Sequence, residues 1–360
     1  MVTGRKYAMS FASINKEIEN LIPEGVEIKG SGTEMVFWGK TNRYPEYLFG
    51  LYNDCTSLKT VVDGTADYVA GDDVVANSIE KPNKKITWRE FITLLAKDYL
   101  LYGGYCFEVI RTKNLQNIAE IHYIDFREIR SSEDNETFFF NPDFKKNYVK
   151  TSKTIILPKF DNSIPQPASI VYIKNNFSST YPVPRYSGAL KCCEIERGID
   201  EMHLAGINNG FYGSYIVNIN TGIPSEEEQD EIERDFNEKF CGAGNSGRFV
   251  LNFSNGKDNA ATLEKIEAVD FGEKYKAAAT RSREQIYAAF RAIPALFGVM
   301  TETTGFNEQE FSEAFKLYNR TMVRPIQRSI CDTIDYVFGK TGVITIKPFS
   351  LNNENEQIVN

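Results

Sequence analysis

Histidine and cysteine are scarce in this sequence, and their scarcity excludes several kinds of catalytic and metal site. Only two histidines occur, His122 and His203, which are too few to favour a histidine metal site or a histidine-dependent catalytic triad. The six cysteines include no Cys-x-x-Cys pair, which in a chain of 360 residues indicates reduced thiols and not a disulfide framework. We therefore expect no metal and no other cofactor.

Long apolar runs are also missing. No segment approaches the roughly 18 apolar residues that a membrane helix requires. Near the N-terminus, Ser10 and Ser13 interrupt the only stretch that resembles the apolar region of a signal peptide. We expect neither a membrane span nor a secretion signal.

The sequence also has no excess of basic residues over acidic ones. The net charge is −8, and affinity for nucleic acid depends largely on Lys and Arg. This balance argues against a protein that grips nucleic acid, although it allows one past which DNA slides. The apolar fraction of 42%, with 19 Tyr and 25 Phe, indicates a folded chain of two or three subdomains.

The first half of the sequence predicts a mixture of helices and strands. Apolar residues recur at helical spacing from Tyr44 to Val69 and predict one long helix. Thr87 and Glu90 form a capping-box pattern that begins a second helix, which ends at Gly103-Gly104. Strands are predicted after it, at Tyr105–Arg111, Ala119–Ile124, Glu128–Ser131, Thr154–Leu157 and Ser169–Ile173. The fold class is therefore α+β.

Two helices bracket a small module in the second half. The first is predicted at Ser187–Gly210 and the second at Glu273–Phe290. Between them we expect strands at Tyr215–Asn220, Arg248–Phe253 and Thr262–Val269. The module also contains a helix at Glu226–Phe240, for which Ser225 and Glu228 supply a capping box.

A break, a polar loop and a long periodic helix follow. Ile293-Pro294 ends the Glu273–Phe290 helix, because proline disfavours helix in the residue before it. Met300–Phe306 is small and polar. The helical stripe beyond it runs from Phe311 to Val337, and Pro325 predicts a kink or local break there.

Three strings imitate nucleotide-binding or kinase motifs. Gly242–Gly247 reads G-x-G-x-x-G, but a helix precedes it and a strand follows, the reverse of a dinucleotide fingerprint. Asp270-Phe271-Gly272 has no catalytic loop upstream, and Phe338–Thr341 lacks the first glycine of a P-loop. We interpret all three as coincidental.

Charged residues mark two helices. The helix at Glu226–Phe240 is strongly acidic, either as a solvated face or as a docking surface for basic partners, formed by Glu226, Glu227, Asp230, Glu231 and Glu238. The Glu273–Phe290 helix is locally basic through Lys274, Lys276, Arg281 and Arg283. These cations either form salt bridges or make a positive band near passing phosphates.

The order of these elements resembles the phage portal protein family, in particular its shorter siphophage-type members. The similar strings are Leu100–Ile110, Pro184–Gly188 and Ile293–Gly298. The resemblance implies the following layout: N-terminal arm 1–43, wing 44–185, first stem helix 186–210, clip 211–271, second stem helix with the Ile-Pro break 272–298, tunnel loop 299–306, long wing or crown helix 307–339 and C-terminal tail 340–360.

The same resemblance implies a structural role without catalysis. Portal subunits form a ring, usually of twelve copies, at one capsid vertex in the virion. Double-stranded DNA passes through the ring without sequence specificity. The implied partners are the terminase large subunit, a head–tail adaptor and the major capsid and scaffolding proteins, which meet the ring during assembly in the host cytoplasm. The residues expected nearest the DNA are those of the tunnel loop, Met300, Thr301, Glu302, Thr303, Thr304, Gly305 and Phe306.

Two other functions stay open at the level of sequence. One is a nucleotide-binding enzyme that uses the Gly242–Gly247 loop. The other is a different phage connector, such as an adaptor, although adaptor chains are typically much shorter and lack two stem helices around a clip.

Overall fold

The computed structural model confirms the α+β class. It describes residues 27–29, 34–77, 79–142, 144, 154–176, 179–208, 215–219, 225, 228, 232, 249–253, 271–299 and 308–349. Several predicted segments lie wholly or mainly outside these residues: the first part of the arm, the helix Glu226–Phe240, the Gly242–Gly247 loop, the strand Thr262–Val269 and the tunnel loop. The chain divides into two compact units, Met1–Cys193 with Arg283–Asn360, and Glu194–Ser282.

The first predicted helix is wrong in one respect, because the structure has two helices in its place. Helix α1 (Tyr44–Asp54) and helix α2 (Thr56–Ala70) are separated by Cys55, whose backbone is extended. The Asn53 side chain donates to the carbonyl of Phe49 at 3.1 Å, a local bond that competes with helix propagation. Cys55 is fully buried, so the apolar stripe continues across the break and hides it from a periodicity argument.

Helix α3 (Trp88–Tyr102) begins and ends as predicted. The Thr87 hydroxyl accepts from the Glu90 amide at 3.3 Å, and the Glu90 carboxylate accepts from the Thr87 amide at 2.7 Å. Gly103 ends the helix with φ of 88°, and a Cβ there would lie 2.4 Å from the carbonyl oxygen of Val183. Only glycine fits such a position without strain.

Antiparallel sheets follow α3. Strand β4 (Gly104–Arg111) lies between β5 (Ile118–Tyr123) and β9 (Ala168–Lys174). A second sheet has the order β6 (Ile129–Ser131), β7 (Thr137–Phe140) and β8 (Ile155–Pro158). Two more pairs join distant or unpredicted segments: β1 (Glu27–Lys29) with β2 (Val36–Trp38), and β3 (Asp73–Ala76) with β12 (Ile344–Lys347).

The second unit contains a parallel strand pair. Strand β10 (Tyr215–Ile219) pairs with β11 (Phe249–Phe253) in parallel register. Parallel neighbours need a crossover of about a dozen or more residues, and the 29 intervening positions, 220–248, are enough for one. Helix α4 (Leu190–Asn208) precedes the pair in sequence and helix α5 (Phe271–Ala289) follows it.

The long C-terminal helix contains a π-helical turn. A short 3₁₀ helix (Pro294–Phe297) precedes α6 (Glu308–Tyr318), the π segment (Asn319–Val323) and α7 (Arg324–Phe338). The Arg324 amide donates to the Asn319 carbonyl, five residues back. Pro325, which has no amide hydrogen, therefore lies in the first turn of α7, and the predicted irregularity takes the form of an inserted residue.

Among the described residues, no helix is both long and apolar enough to cross a membrane.

Removing the cap of α3 should measurably destabilise the fold. Thr87→Ala removes the hydroxyl that accepts from the Glu90 amide, and we expect a loss of about 1 kcal/mol in the free energy of unfolding. Thr93→Ala in the same helix is the control, because the Thr93 hydroxyl donates only to the Arg89 carbonyl on an exposed face. Urea titration followed by circular dichroism measures both; equal losses would contradict the cap's importance.

Candidate functional site: stem helices and the base of the loop

The four cations assigned to the second stem helix lie on two different faces of α5. Lys274 and Arg281 are seven residues apart, as are Lys276 and Arg283, so each pair shares a face. At about 100° per residue the two faces lie roughly 160° apart. Lys276, Arg281 and Arg283 are exposed. One face of a straight helix therefore cannot present both pairs to the same surface.

Helix α4 carries an exposed apolar stripe. Ile195 and Met202 are 46% and 40% exposed, although both lie on a helix that has buried neighbours such as Ile199. Gly198 lies between them on the same face. A Cβ built at Gly198 meets no atom within 4 Å, so packing within this chain does not require glycine there.

One end of the predicted clip helix is visible. The Ser225 amide and hydroxyl donate to the Glu228 carboxylate at 2.9 and 3.0 Å, and the Glu228 amide donates back to the hydroxyl at 3.4 Å. The bond from the Ser225 amide is the main reason that the pKa of Glu228 is lowered. The predicted capping box is confirmed. The acidic residues Glu226, Glu227, Asp230, Glu231 and Glu238 lie outside the described residues.

Both flanks of the predicted tunnel loop are described. The chain approaches through the 3₁₀ helix that ends at Phe297, and Gly298 then adopts φ of 76°. It resumes in α6 at Glu308. The predicted loop residues Met300–Phe306 lie outside the described residues, so their contact with DNA stays a prediction.

An aromatic cluster joins the two flanks of the loop. Tyr68 of α2 lies at its centre, with ring centroids 6.0 Å from Phe297 and 5.4 Å from Phe315. Phe297 is also 5.6 Å from Tyr318, in an edge-to-face contact. From the C-terminal tail, Phe349 lies 5.3 Å from Tyr68. Edge-to-face pairs of this kind stabilise by about 0.5–1.5 kcal/mol each beyond simple burial.

Hydrogen bonds fix the orientation of these rings. The Tyr68 hydroxyl donates to the Leu296 carbonyl at 2.8 Å. Thr65 donates its hydroxyl hydrogen to Val61, so in the 2.6 Å contact between Thr65 and Tyr318 the tyrosine is the donor. Burial raises the pKa of Tyr318 to about 12, and the hydroxyl therefore stays protonated near neutral pH.

Helix α2 makes room for this arrangement at Gly64. A Cβ at that position would lie 2.9 Å from the Phe297 ring. Sequence reasoning missed Gly64, Tyr68 and Phe297 as parts of one site, because more than 220 residues separate the two ends of the Tyr68–Leu296 bond. The one available signal was a glycine in the interior of an otherwise regular helix.

Two of the three motif-like strings are in the wrong structural context for kinase or P-loop chemistry. Phe271 and Gly272 belong to the first turn of α5, and Gly339 ends α7 in the left-handed conformation instead of opening a helix. The Gly242–Gly247 loop lies outside the described residues. Within the described ranges, no cluster of three or more His, Cys, Asp or Glu could hold a metal.

Comparison with known proteins gives one family and a shared fold. A family model described as phage portal protein matches residues 54–350. No curated protein matches the sequence. The structure is similar to a chain from the virion of a native gene transfer agent particle, with TM-score 0.53 and 17% identity, covering 86% of this chain and 84% of that one.

Two further solved structures are similar. A chain from the neck of a native gene transfer agent particle, computed with C12 symmetry, has TM-score 0.53 and 17% identity over 95% of this chain and 89% of that one. An HK97-family phage portal protein from Corynebacterium diphtheriae has TM-score 0.47 and 11% identity over 84% and 94%.

Filling the space at Gly64 should disturb the base of the loop. We expect Gly64→Ala to be less stable than Gly50→Ala by about 1–3 kcal/mol, the usual cost of overpacking. Both changes gain the same helix propensity, about 1 kcal/mol, but a Cβ at Gly50 meets nothing within 4 Å. Chemical denaturation of both variants gives the difference. If Gly64→Ala were as stable as Gly50→Ala, the close contact with Phe297 would be incorrect.

Proposed function

The chain belongs to the phage portal protein family, and from that premise we propose that it is the subunit of a ring at one capsid vertex, through which double-stranded DNA enters during packaging and leaves during ejection. Portal proteins are structural proteins and not enzymes, so the alternative of a nucleotide-binding enzyme at Gly242–Gly247 is not favoured. The observation that carries the proposal is the order of elements, in which helices α4 and α5 precede and follow the β10–β11 module in sequence and a loop with both flanks anchored comes next.

Self-association is supported by the stripe of Ile195, Gly198 and Met202. Exposed apolar side chains beside a glycine with open space suit close packing of a neighbouring helix. A ring needs two different complementary faces on each subunit and a rotation that closes. The C12 symmetry of the similar gene transfer agent neck supports twelve copies.

DNA passage is supported by the distribution of charge. The net charge of −8 disfavours tight binding of DNA, as a channel for moving DNA requires. Of the stem cations, Lys274 and Arg281 lie opposite the buried face that includes Ser282, Ile286 and Phe290. We assign that pair to the channel. Lys276 and Arg283, on the other face, are assigned to contacts between subunits.

The remaining partners follow from the portal role. The acidic residues Glu226, Glu227, Asp230, Glu231 and Glu238 are proposed as the clip surface on which the terminase large subunit and the head–tail adaptor dock. Scaffolding and major capsid proteins are proposed to meet the ring during assembly in the host cytoplasm. The finished ring is then part of the virion, and no membrane partner is proposed.

Ring formation should depend on the α4 stripe. Changing Ile195→Gln together with Met202→Gln should lower the fraction of annular particles, because the buried apolar contact between neighbours is lost. Leu204→Gln is the matched control: Leu204 is 59% exposed but lies about 180° around the helix from Ile195. Negative-stain images and mass photometry of each variant give the ring fraction.

Two outcomes would contradict this assignment. Equal loss of rings in Leu204→Gln would show that the stripe is not the specific contact. A wild-type protein that stays monomeric at high concentration, even with scaffold or capsid partners, would refute the ring itself.

The tunnel loop should matter for DNA movement and not for assembly. Replacing Met300–Phe306 with a Gly-Ser sequence of equal length should leave the ring fraction unchanged and reduce the amount of DNA packaged. The reason is that the loop is proposed to touch DNA, while the subunit contacts lie on the stems. Nuclease-protected DNA in capsids measures packaging. Normal packaging with the replaced loop would exclude its proposed role.

A further inference from the structure

An exposed row of basic residues follows the helix beyond the tunnel loop. Lys316, Arg320, Arg324 and Arg328 recur at steps of four residues, and all four are exposed. Lys316 is in α6, Arg320 in the π segment, and the two other arginines are in α7. We call these four residues the basic stripe.

The π segment is what aligns the basic stripe. In an uninterrupted α-helix, three steps of four residues would rotate by about 120° and spread the side chains around the helix. The single extra residue of a π turn takes back about 100° of that rotation, which leaves the four within about 20° of one line. The inserted turn is visible in the bond from the Arg324 amide to the Asn319 carbonyl.

The opposite face of the same helix is anchored in the core. Tyr318, Met322, Ile326 and Ile330 are at most 2% exposed. The helix therefore cannot rotate to hide the arginines without exposing these side chains, at a cost of about 1.5–3 kcal/mol for each large one. The basic stripe is a fixed feature of the surface.

Most of the positive charge on the stripe has no ion-pair partner among the residues that the structure describes. Lys316 pairs with Glu313 at 2.8 Å. Arg320, Arg324 and Arg328 form no ion pair with any residue that the structure describes. Three arginines in line that have no acidic partner in the described part of the chain are unexpected in a protein of net charge −8 and favour an anionic partner.

The chemistry of the stripe favours phosphates over an acidic protein surface. Arginine presents a planar fork that binds phosphate in a bidentate manner, and four positions at about 6 Å intervals span about 18 Å along the helix. Protein partners usually need an apolar anchor at the centre of the interface. Here the one large exposed apolar side chain in the described part of α6 is Leu317, at one end of the stripe.

We propose that the basic stripe binds the phosphodiester backbone of double-stranded DNA as it passes beyond the tunnel loop. This inference rests on the proposed channel and adds a second contact to it. The stripe begins eight residues after the start of α6, at the exit of the loop. Each phosphate contact is worth roughly tenfold in affinity at 0.1 M salt, so a few contacts hold DNA weakly and are lost as salt rises.

The test is DNA binding by the wild-type protein and two triple variants. Arg320→Gln, Arg324→Gln and Arg328→Gln are combined in one variant. The matched control combines Lys81→Gln, Lys84→Gln and Lys85→Gln, which removes the same charge from exposed lysines that form no ion pair with described residues. Anisotropy of a short linear duplex is measured across a salt series, in parallel with a closed circular duplex that cannot thread a ring.

We expect the arginine variant to lose affinity for linear DNA by tenfold or more at about 0.1 M salt, and the slope of log affinity against log salt to fall by up to about 3. The control should change little, and binding of the circle should be the same for all three proteins. An equal loss of DNA affinity in the lysine control would show that binding depends on the net charge of the protein and not on the position of the arginines. An equal loss on the circle would place the stripe outside the channel. Equal displacement of DNA by polyglutamate would make the ligand an acidic polypeptide, and each of these results overturns the proposal.

Negative-stain images of the same samples keep the two hypotheses separate. If wild-type protein forms no rings, the channel fails, whereas the salt slope on linear DNA still reports whether the arginines bind phosphate. If rings form and the arginine variant binds linear DNA as wild type does, only the basic stripe is refuted.

Discussion

The contact between Tyr68 and Phe297 is the constraint around which the loop region is organised. Tyr68 lies on α2, and its hydroxyl donates a hydrogen bond to the carbonyl of Leu296 at 2.8 Å. Phe315 and Tyr318, on the other flank of the loop, pack on the same ring, as does Phe349 of the tail. Because all these groups meet at one side chain, neither flank of the loop can shift without breaking several contacts. The contact proposed between the loop and moving DNA would need such a fixed base, because a functional segment is positioned by the rigid elements that support it.

The π segment shows how one inserted residue can serve two faces of a helix. The buried residues Tyr318, Met322, Ile326 and Ile330 are spaced by four, which would carry a regular helix out of its groove by 40° at every step. The insertion restores the buried face to the core and aligns the arginines on the opposite face. Burial of these large side chains stabilises the helix by about 1.5–3 kcal/mol each, enough to offset the poorer geometry of one π turn.

Local signals were readable from the sequence and long-range ones were not. The capping box at Thr87 and Glu90 and the end of the helix at Gly103 were predicted because cap chemistry involves neighbours within four residues. Strand β3 pairs with β12 and places Asp73 opposite Lys347, and no local pattern in the sequence predicts this long-range pairing. The break at Cys55 was not predicted, because Cys55 is itself buried and the apolar periodicity of the two helices continues through it. The repeated four-residue spacing after Tyr318 was a readable sign of a π turn, but Pro325 directed attention to a kink instead.

The stem cations show a limit of a different kind. The number of cations predicted one positive band on α5, the proposed second stem helix. Lys274 and Lys276 are two residues apart, however, and each has its pair mate seven residues further on, which places the two pairs on opposite faces. A count of the charges along a helix does not show which face each charge occupies. The rotation of about 100° per residue does show it. The same rotation per residue shows that the arginines of the basic stripe are aligned on one face, although the chain as a whole is acidic. Charges within about 8–10 Å of a phosphate act on it, and those farther away are screened. The proposed function therefore combines repulsion of DNA by an acidic chain with guidance along one narrow line of arginines.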